Sequence, residues 1–383
     1  MADIYVPAGD ATAVTIFSKR LLSHAMRHTA AAKFIKIGLN PDDPNNIVQM
    51  FDEPTKGPGD TIKYDLIPNI VGPGVLGDNP ITGQTKSFKA LQDSFTINQQ
   101  RQGEKAVGRM SQQRVPYSIR SGIKTTLANW WAQTFDIGFF NQIAGNTAQT
   151  NVLYTGLNAA VAPDSAHHIY ASTATSEATL TSSMIFDVSL ISQVNAMARG
   201  TLTFPIKPLN IGGMKVNGVM FLHPLQVKAL RNSYSAGGWA DIQKAAYQGL
   251  ADSGGNPIFS GALGMIDNVV LHEAPNLPYG DDTQNTVYDP ELAANVAAPT
   301  SLGAAATGTT SVARAVFVGA QALAMGFGGA EQINGKTLKV SWSEAVLDHG
   351  NQLEVVAGMI YGMKKTVFAS QDYATIVVSS WAA

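Results

Sequence analysis

At 383 residues, 45% of them hydrophobic and 14% charged, the chain has the length of roughly two or three domains and enough apolar side chains for a substantial core. A formal net charge of -2 leaves no basic footprint for sequence-independent binding along a nucleic-acid backbone. With no cysteine, disulfide stapling and thiolate chemistry are excluded, and the composition suits maturation in a reducing cytoplasm.

Met1 to Ala30 lacks the charged start, apolar run and small-residue cleavage site of a secretory signal. Asp10 can cap a short amphipathic helix carrying Val14, Phe17, Leu21 and Ala25, and Asn40-Pro41-Asp42-Asp43-Pro44 ends regular structure, so this region reads as an arm. From Asp60 to Val107, the alternating pieces Ile62 to Leu66 and Phe95 to Asn98 flank a Pro/Gly-rich tip, Val71 to Pro80, which is the pattern of a long hairpin. Little in it can make a core, and a two-stranded ribbon is marginal alone, so its partner is expected on another subunit. The predicted assembly contacts are Val71, Gly72, Pro73, Gly74, Val75 and Leu76.

Pro116 to Gly145 reads as one long helix with apolar side chains at every fourth position: Ile119, Ile123, Leu127, Trp131, Phe135, Phe139 and Ile143. A helix turns once per 3.6 residues, so this row drifts by about 40° per step and winds around the axis. Such a helix, roughly 40 Å long, meets different partners at its two ends and acts as a spine. Pro116 fits its first turn and Gly145-Asn146 its stop. Gly122 and Gly138 weaken it by about 1 kcal/mol each, which predicts close approach of another backbone at both.

A second helix is expected around Phe186 to Ala198. Val216 to Leu222 reads as a strand, His223-Pro224 opens a helix through Leu225, Val227 and Leu230, Trp239 to Leu250 forms another helix, and Asn268 to His272 another strand, together a compact α/β unit. Pro290 to Ser311, almost all Ala, Thr, Gly, Pro and Ser, reads as a surface loop. Val312 to Ala330 is apolar but interrupted by Arg314, Gln321 and glycines, so buried strand is a better reading than membrane span. Apolar strands near Ala315 to Val318, Leu353 to Tyr361 and Ala374 to Ser379 close the chain.

The motifs that could carry chemistry lack the right context. Ala330 to Thr337 resembles a phosphate-cradling loop, but Leu338, Val340 and Trp342 alternate with polar residues as a strand, and Asn334-Gly335 is a favoured hairpin turn. His24 and His28 have zinc-like i, i+4 spacing without a third ligand, and His167-His168 are adjacent residues that converge poorly on one ion. No serine sits in the nucleophile-elbow pattern, and Glu344, Asp348 and Glu354 flank strand ends without a defined pairing.

An arm, a long polar hairpin, a spine helix and then an α/β unit, in that order, resemble the tailed-phage major capsid fold first seen in phage Hong Kong ninety-seven. Arg109-Met110-Ser111-Gln112-Gln113-Arg114 leading into Ala128-Asn129-Trp130-Trp131-Ala132-Gln133-Thr134-Phe135-Asp136 is similar to the capsid family typified by phage N-four. So are Leu222-His223-Pro224 with Gln226-Val227, Asn256 to Gly264, Val318 to Ala322, and Asp348-His349-Gly350-Asn351, whereas Thr283 to Ser311 resembles nothing in that family.

The resemblance implies an α+β, Hong Kong ninety-seven-like fold: N-terminal arm 1–54, extended hairpin loop 55–108, peripheral domain 109–200 and 345–383 with spine helix 116–144, and axial domain 201–344. It implies a major capsid protein, not an enzyme, that self-assembles through hexamers and pentamers into the icosahedral shell around a tailed bacteriophage genome. No catalytic, cofactor or metal residues carry over. The implied partners are further copies of itself, a separate scaffolding protein, a portal, packaged double-stranded DNA held without sequence-specific contact, and optionally a decoration protein. No membrane is implied: the protein passes from host cytoplasm to virion capsid. Three alternatives compete. A cellular nanocompartment shell would enclose enzyme cargo, a nucleotide-binding protein would need the 330–337 loop to work, and a carbohydrate- or receptor-binding virion protein would not need a spine and arm.

Overall fold

The structure, a computed structural model, describes residues 21, 22, 25, 46–51, 59–68, 72, 74–83, 85–106, 108–114, 119–211, 214–232, 262–289, 293–303, 311–329, 331–333 and 336–382. Helices and two main sheets are mixed along the chain. The first sheet is ordered Val48–Phe51, Leu323–Phe327, Gln352–Lys365, Val340–Leu347, with Asn98–Lys105 also paired to the long strand Gln352–Lys365. The second has six strands in the order His168–Tyr170, Thr375–Trp381, Val312–Val318, Gly218–Leu222, Val269–Glu273, Ala262–Ile266. Val312–Val318 and Leu323–Phe327 are buried at every position, as unbroken apolar runs in sheet interiors are.

The spine helix spans Ile119–Ile143, and its four-residue row is buried from Ile123 to Ile143, with Ile119 half-buried. The winding has the expected effect. Midway, Trp131 and Phe135 meet Tyr361 of the long strand, with ring centres 6.0 and 5.1 Å apart. One turn further on, Phe139 and Phe140 have rotated onto Phe221 of the six-stranded sheet, at 6.1 and 5.4 Å. One helix thus braces both sheets. Gly145 ends it at φ +61°, where a side chain would strike the Val161 carbonyl. The expectation for the inner glycines holds only in part. At Gly138 an added Cβ would lie 3.0 Å from the Met363 sulfur and 3.4 Å from the Tyr154 carbonyl, but Gly122 faces open space.

The second helix, Val188–Gly200, starts at an Asp187 cap that accepts from the Leu190 N–H at 3.1 Å. The expected strand at 216–222 is split at Asn217 into Met214–Val216 and Gly218–Leu222. His223 then caps helix Pro224–Arg231, and Val269–Glu273 returns parallel to Gly218–Leu222, so an α/β crossover is present. The helix expected at Trp239 to Leu250 and the motif from Asn256 to Gly261 lie outside the described residues.

Two expectations need correction. The hairpin Thr61–Leu66 with Leu91–Thr96 does contribute to the core, because Ile62, Tyr64 and Phe95 are buried and Phe51 stacks on Tyr64 at 5.5 Å. A few well-placed rings suffice where strand Leu323–Phe327 and Phe368 cover them. Within the arm, Val48–Phe51 runs parallel to Leu323–Phe327 inside the first sheet. The Ala/Thr-rich stretch is not a plain loop, since Thr286–Asp289 pairs with Ala294–Ala297 and both Ala298 and Leu302 are buried. Amides rather than large apolar groups fasten it. Asn141 and Gln149 donate to the Pro299 carbonyl at 3.0 and 2.7 Å, and Asn146 donates to the Ser301 carbonyl at 2.8 Å.

Candidate assembly surface

Between the paired strands of the hairpin, the described residues expose large apolar side chains: Ile67, Leu76 at 81%, Ile81, and Phe88 at 76%. Turn chemistry shapes this loop. Gly74, Gly77 and Gly83 take positive φ, and the Asn79 side chain donates to the Leu76 carbonyl at 2.8 Å. Of the predicted contacts, Gly72, Gly74, Val75 and Leu76 are in the loop's described part, while Val71 and Pro73 lie outside the described residues. The apolar set is wider than the tip named from sequence, because Ile67, Ile81 and Phe88 lie on the legs.

The base is anchored by charge. Asp93 accepts from the Tyr64 hydroxyl at 2.7 Å and from Lys364 of the long strand, and from the Val367 N–H at 3.2 Å. Burial, followed by the hydrogen bond to Asp93, raises the Tyr64 hydroxyl pKa, so it remains a donor. The hairpin base is therefore held to the first sheet.

Both spine ends are clamped. At the start, Arg120 grips both Glu344 oxygens at 2.7 Å and the Trp342 indole donates to the same carboxylate at 2.9 Å. At the end, Arg314 donates to the Ala144 and Gly145 carbonyls at 3.1 and 3.0 Å and to both Glu177 oxygens at 2.6 and 2.9 Å. A cation on the last carbonyls of a helix also complements its dipole. Burial acts to raise the Glu177 carboxyl, but the Arg314 hydrogen bonds and charge outweigh it and hold the group below its usual range. Sequence reading missed this junction. Its one signal is that Arg314 is the only charge in the apolar stretch from Val312 to Ala330, and buried charges are normally paired.

The chemical motifs resolve into structure. Glu331–Ile333 pairs with Lys336–Leu338 and a further strand follows, so the 330–337 segment lacks the helix a phosphate site requires, and the nucleotide reading fails. His167 pairs with Asp164 at 2.8 Å while His168 contacts the Ser379 hydroxyl at 2.8 Å, so the two imidazoles serve different partners. His24 and His28 lie outside the described residues. Among the described residues no three metal-ligating side chains group together, and no helix is long and apolar enough to cross a membrane. Glu344 is the carboxylate in the Arg120 clamp, and Asp348 accepts from the Asn351 side chain at 2.9 Å. Asn351 in turn accepts from the Arg109 N–H at 3.0 Å, which joins two of the sequence motifs in one turn.

The molecule is a helix-braced body of two sheets whose hairpin loop exposes large apolar side chains, a distinct kind of fold. The comparisons identify which kind. The family described as phage capsid protein matches residues 5–383, and the chain belongs to that family. It is similar to the major capsid protein of Pseudomonas phage KPP25, with 25% identity over 359 residues, 90% of this chain and 88% of the relative. Among solved structures it is similar to the capsid of Ralstonia phage GP4, with TM-score 0.70, 29% identity, and 89% and 88% of the two chains covered. The cyanophage Pam1 capsid shares the fold, with TM-score 0.65 at 16% identity over 94% of this chain and 93% of the other.

Proposed function

We infer that this chain is the major capsid protein of a tailed phage and builds the shell that encloses its genome, with a Hong Kong ninety-seven-like fold. The observation that carries the assembly role is the projecting loop 67–90, whose four large apolar side chains the subunit leaves in solvent. A monomer gains nothing from that exposure, whereas a neighbour that covers it gains about 25 cal/mol per Å². In this reading the loop lies over an adjacent subunit. The spine and the sheet around Gln352–Lys365 form the peripheral body, and the sheet around Gly218–Leu222 forms the axial body that meets its copies at capsomer axes. The role is structural, with no catalytic, cofactor or metal residues. Hexamers and pentamers of the chain, a separate scaffolding protein, a portal and packaged DNA complete the assembly, which forms in the host cytoplasm, and a decoration protein is an optional addition.

The test replaces Val71 to Thr85 by a short Gly/Ser turn and measures subunit melting beside particle yield. A subunit that melts normally but fails to close shells is expected. Shells of normal yield and stability would overturn the loop's role.

A further inference from the structure

We propose that Lys365 and Asp372 of one subunit condense into an amide, a covalent staple across the turn that joins the two main sheets. The bond lies inside a single subunit, where both side chains are shut away from solvent, and links no copies to one another.

Lys365 ends the long strand Gln352–Lys365 of the first sheet, and Asp372 lies just before strand Thr375–Trp381 of the second. Between them, Val367–Phe368 pairs with Gln371–Asp372 and folds the crossing back on itself. Both backbones are fixed. Lys365 pairs with Leu323 in the sheet, and the Asp372 N–H donates to the Asp164 carboxylate at 2.8 Å. The Lys365 Nζ meets the two Asp372 oxygens at 2.7 and 2.8 Å, with side-chain exposures of 0% and 2%. Bracketed by both oxygens, it stands within the roughly 3.5 Å of the carboxyl carbon that a near-attack arrangement requires.

An ion pair is poorly supported at this place. An ammonium carries three donors, and among the described residues the Lys365 Nζ finds only the Asp372 carboxyl. A buried pair offsets its desolvation only when its remaining hydrogen-bonding groups are also satisfied. Two other pairs differ. Lys364, facing Asp93, keeps 20% of its side chain exposed and also donates to the Ser94 carbonyl, while Arg314 spreads its charge over Glu177 and two helix carbonyls. Burial drives the Lys365 ammonium down and the Asp372 carboxyl up, and their mutual attraction opposes each shift without cancelling it. The pair is thereby pushed toward neutral amine and neutral carboxyl, the two forms that condense.

The step balances without a co-reactant. The ammonium proton passes to the carboxylate, the Nζ lone pair adds to the Asp372 Cγ, one Nζ proton joins the departing hydroxyl, and water leaves as the C–N bond is completed. Bulk water opposes amide formation, but groups held in position act at effective molarities of about 10⁵ M or more, far above that of water itself. A neutral amide also replaces two buried charges. With the bond in place, tension between the two sheets bypasses residues 366–371.

Intact mass reads the bond directly. The folded subunit, incubated until its mass is constant and then denatured, should weigh one water less than its sequence. No Lys or Arg follows Lys365, so a trypsin digest should yield a C-terminal peptide that starts at Lys365, lacks one water and gives no fragments from breaks between 365 and 372. Lys365→Met should restore the missing water. The full sequence mass for the unaltered chain would overturn the proposal, whether or not that variant folds. Cleavage after Lys365 would overturn it even with a water missing, because the loss then lies outside the Lys365 amine. A water still missing from Lys365→Met would do the same.

Discussion

Arg314→Met keeps most of the side-chain length and removes the cation at the end of the spine. Glu177, at 8% side-chain exposure, then sits buried without its counter-ion, and the Ala144 and Gly145 carbonyls lose their donor. The folded variant relieves the charge by taking up a proton. Starting from the ordinary value of 4.5, protonation at pH 7 costs about 1.4 kcal/mol per pH unit, roughly 3 kcal/mol in all. The two carbonyls add about 1 kcal/mol, so the loss is roughly 4 kcal/mol at pH 7, within the range for a broken buried pair. At pH 5 most of the protonation cost is gone, and the loss should shrink to roughly 1 to 2 kcal/mol. Urea unfolding of the unassembled subunit at the two pH values measures both numbers. Adding Glu177→Gln removes the stranded charge and should restore much of the loss at pH 7. A loss under about 1 kcal/mol at pH 7, or an equal loss at both pH values, would refute the reasoning.

Trp131→Ala should cost about 3 to 5 kcal/mol, since the ring is fully buried among Trp130, Phe135 and Tyr361. Trp131→Phe should cost clearly less, because the buried indole N–H has no hydrogen-bond partner among the described residues; equal losses in thermal unfolding would contradict this. Acid should weaken the subunit through two histidines. Burial, followed by the nearby Arg314 charge, pushes His168 down to about 4, and burial pushes His223 down to about 4 at its helix cap. The unfolded chain takes up these protons below the ordinary value of 6.5, and the folded chain only near 4. Stability should therefore fall as pH drops from 6.5 to 4, by up to about 3 kcal/mol per histidine. His168→Gln should flatten the pH dependence of melting, and an unchanged slope would count against the buried neutral imidazole.

The spine was legible because seven apolar residues at one spacing leave few other arrangements, and its drift correctly implied contact with two different layers. Helix 224–231 was legible from His223-Pro224, although the sequence did not show that Gln226 also donates to the Ala313 carbonyl and the Ser380 hydroxyl. The Ala/Thr-rich stretch was misread because amides at 141, 146 and 149 hold its backbone, and backbone capture leaves no apolar pattern. The hairpin base was misread for the converse reason: Ile62, Tyr64 and Phe95 are few, and only their packing against Leu323–Phe327 and Phe368 shows that they are covered. Arg314 registered as an interruption of an apolar run, since its partner Glu177 is 137 residues away. Pairing over such separations leaves no local signature. Of the proposed assembly surface, the tip was named from its breakers, but Ile67, Ile81 and Phe88 became candidates only once the structure showed them uncovered.

The most direct test of the account is electron microscopy of the purified protein, expressed with the proposed scaffolding protein or concentrated alone. The account predicts closed shells of many identical subunits, with residues 67–90 of each lying on its neighbour. Monomers or small rings under every assembly condition would contradict it.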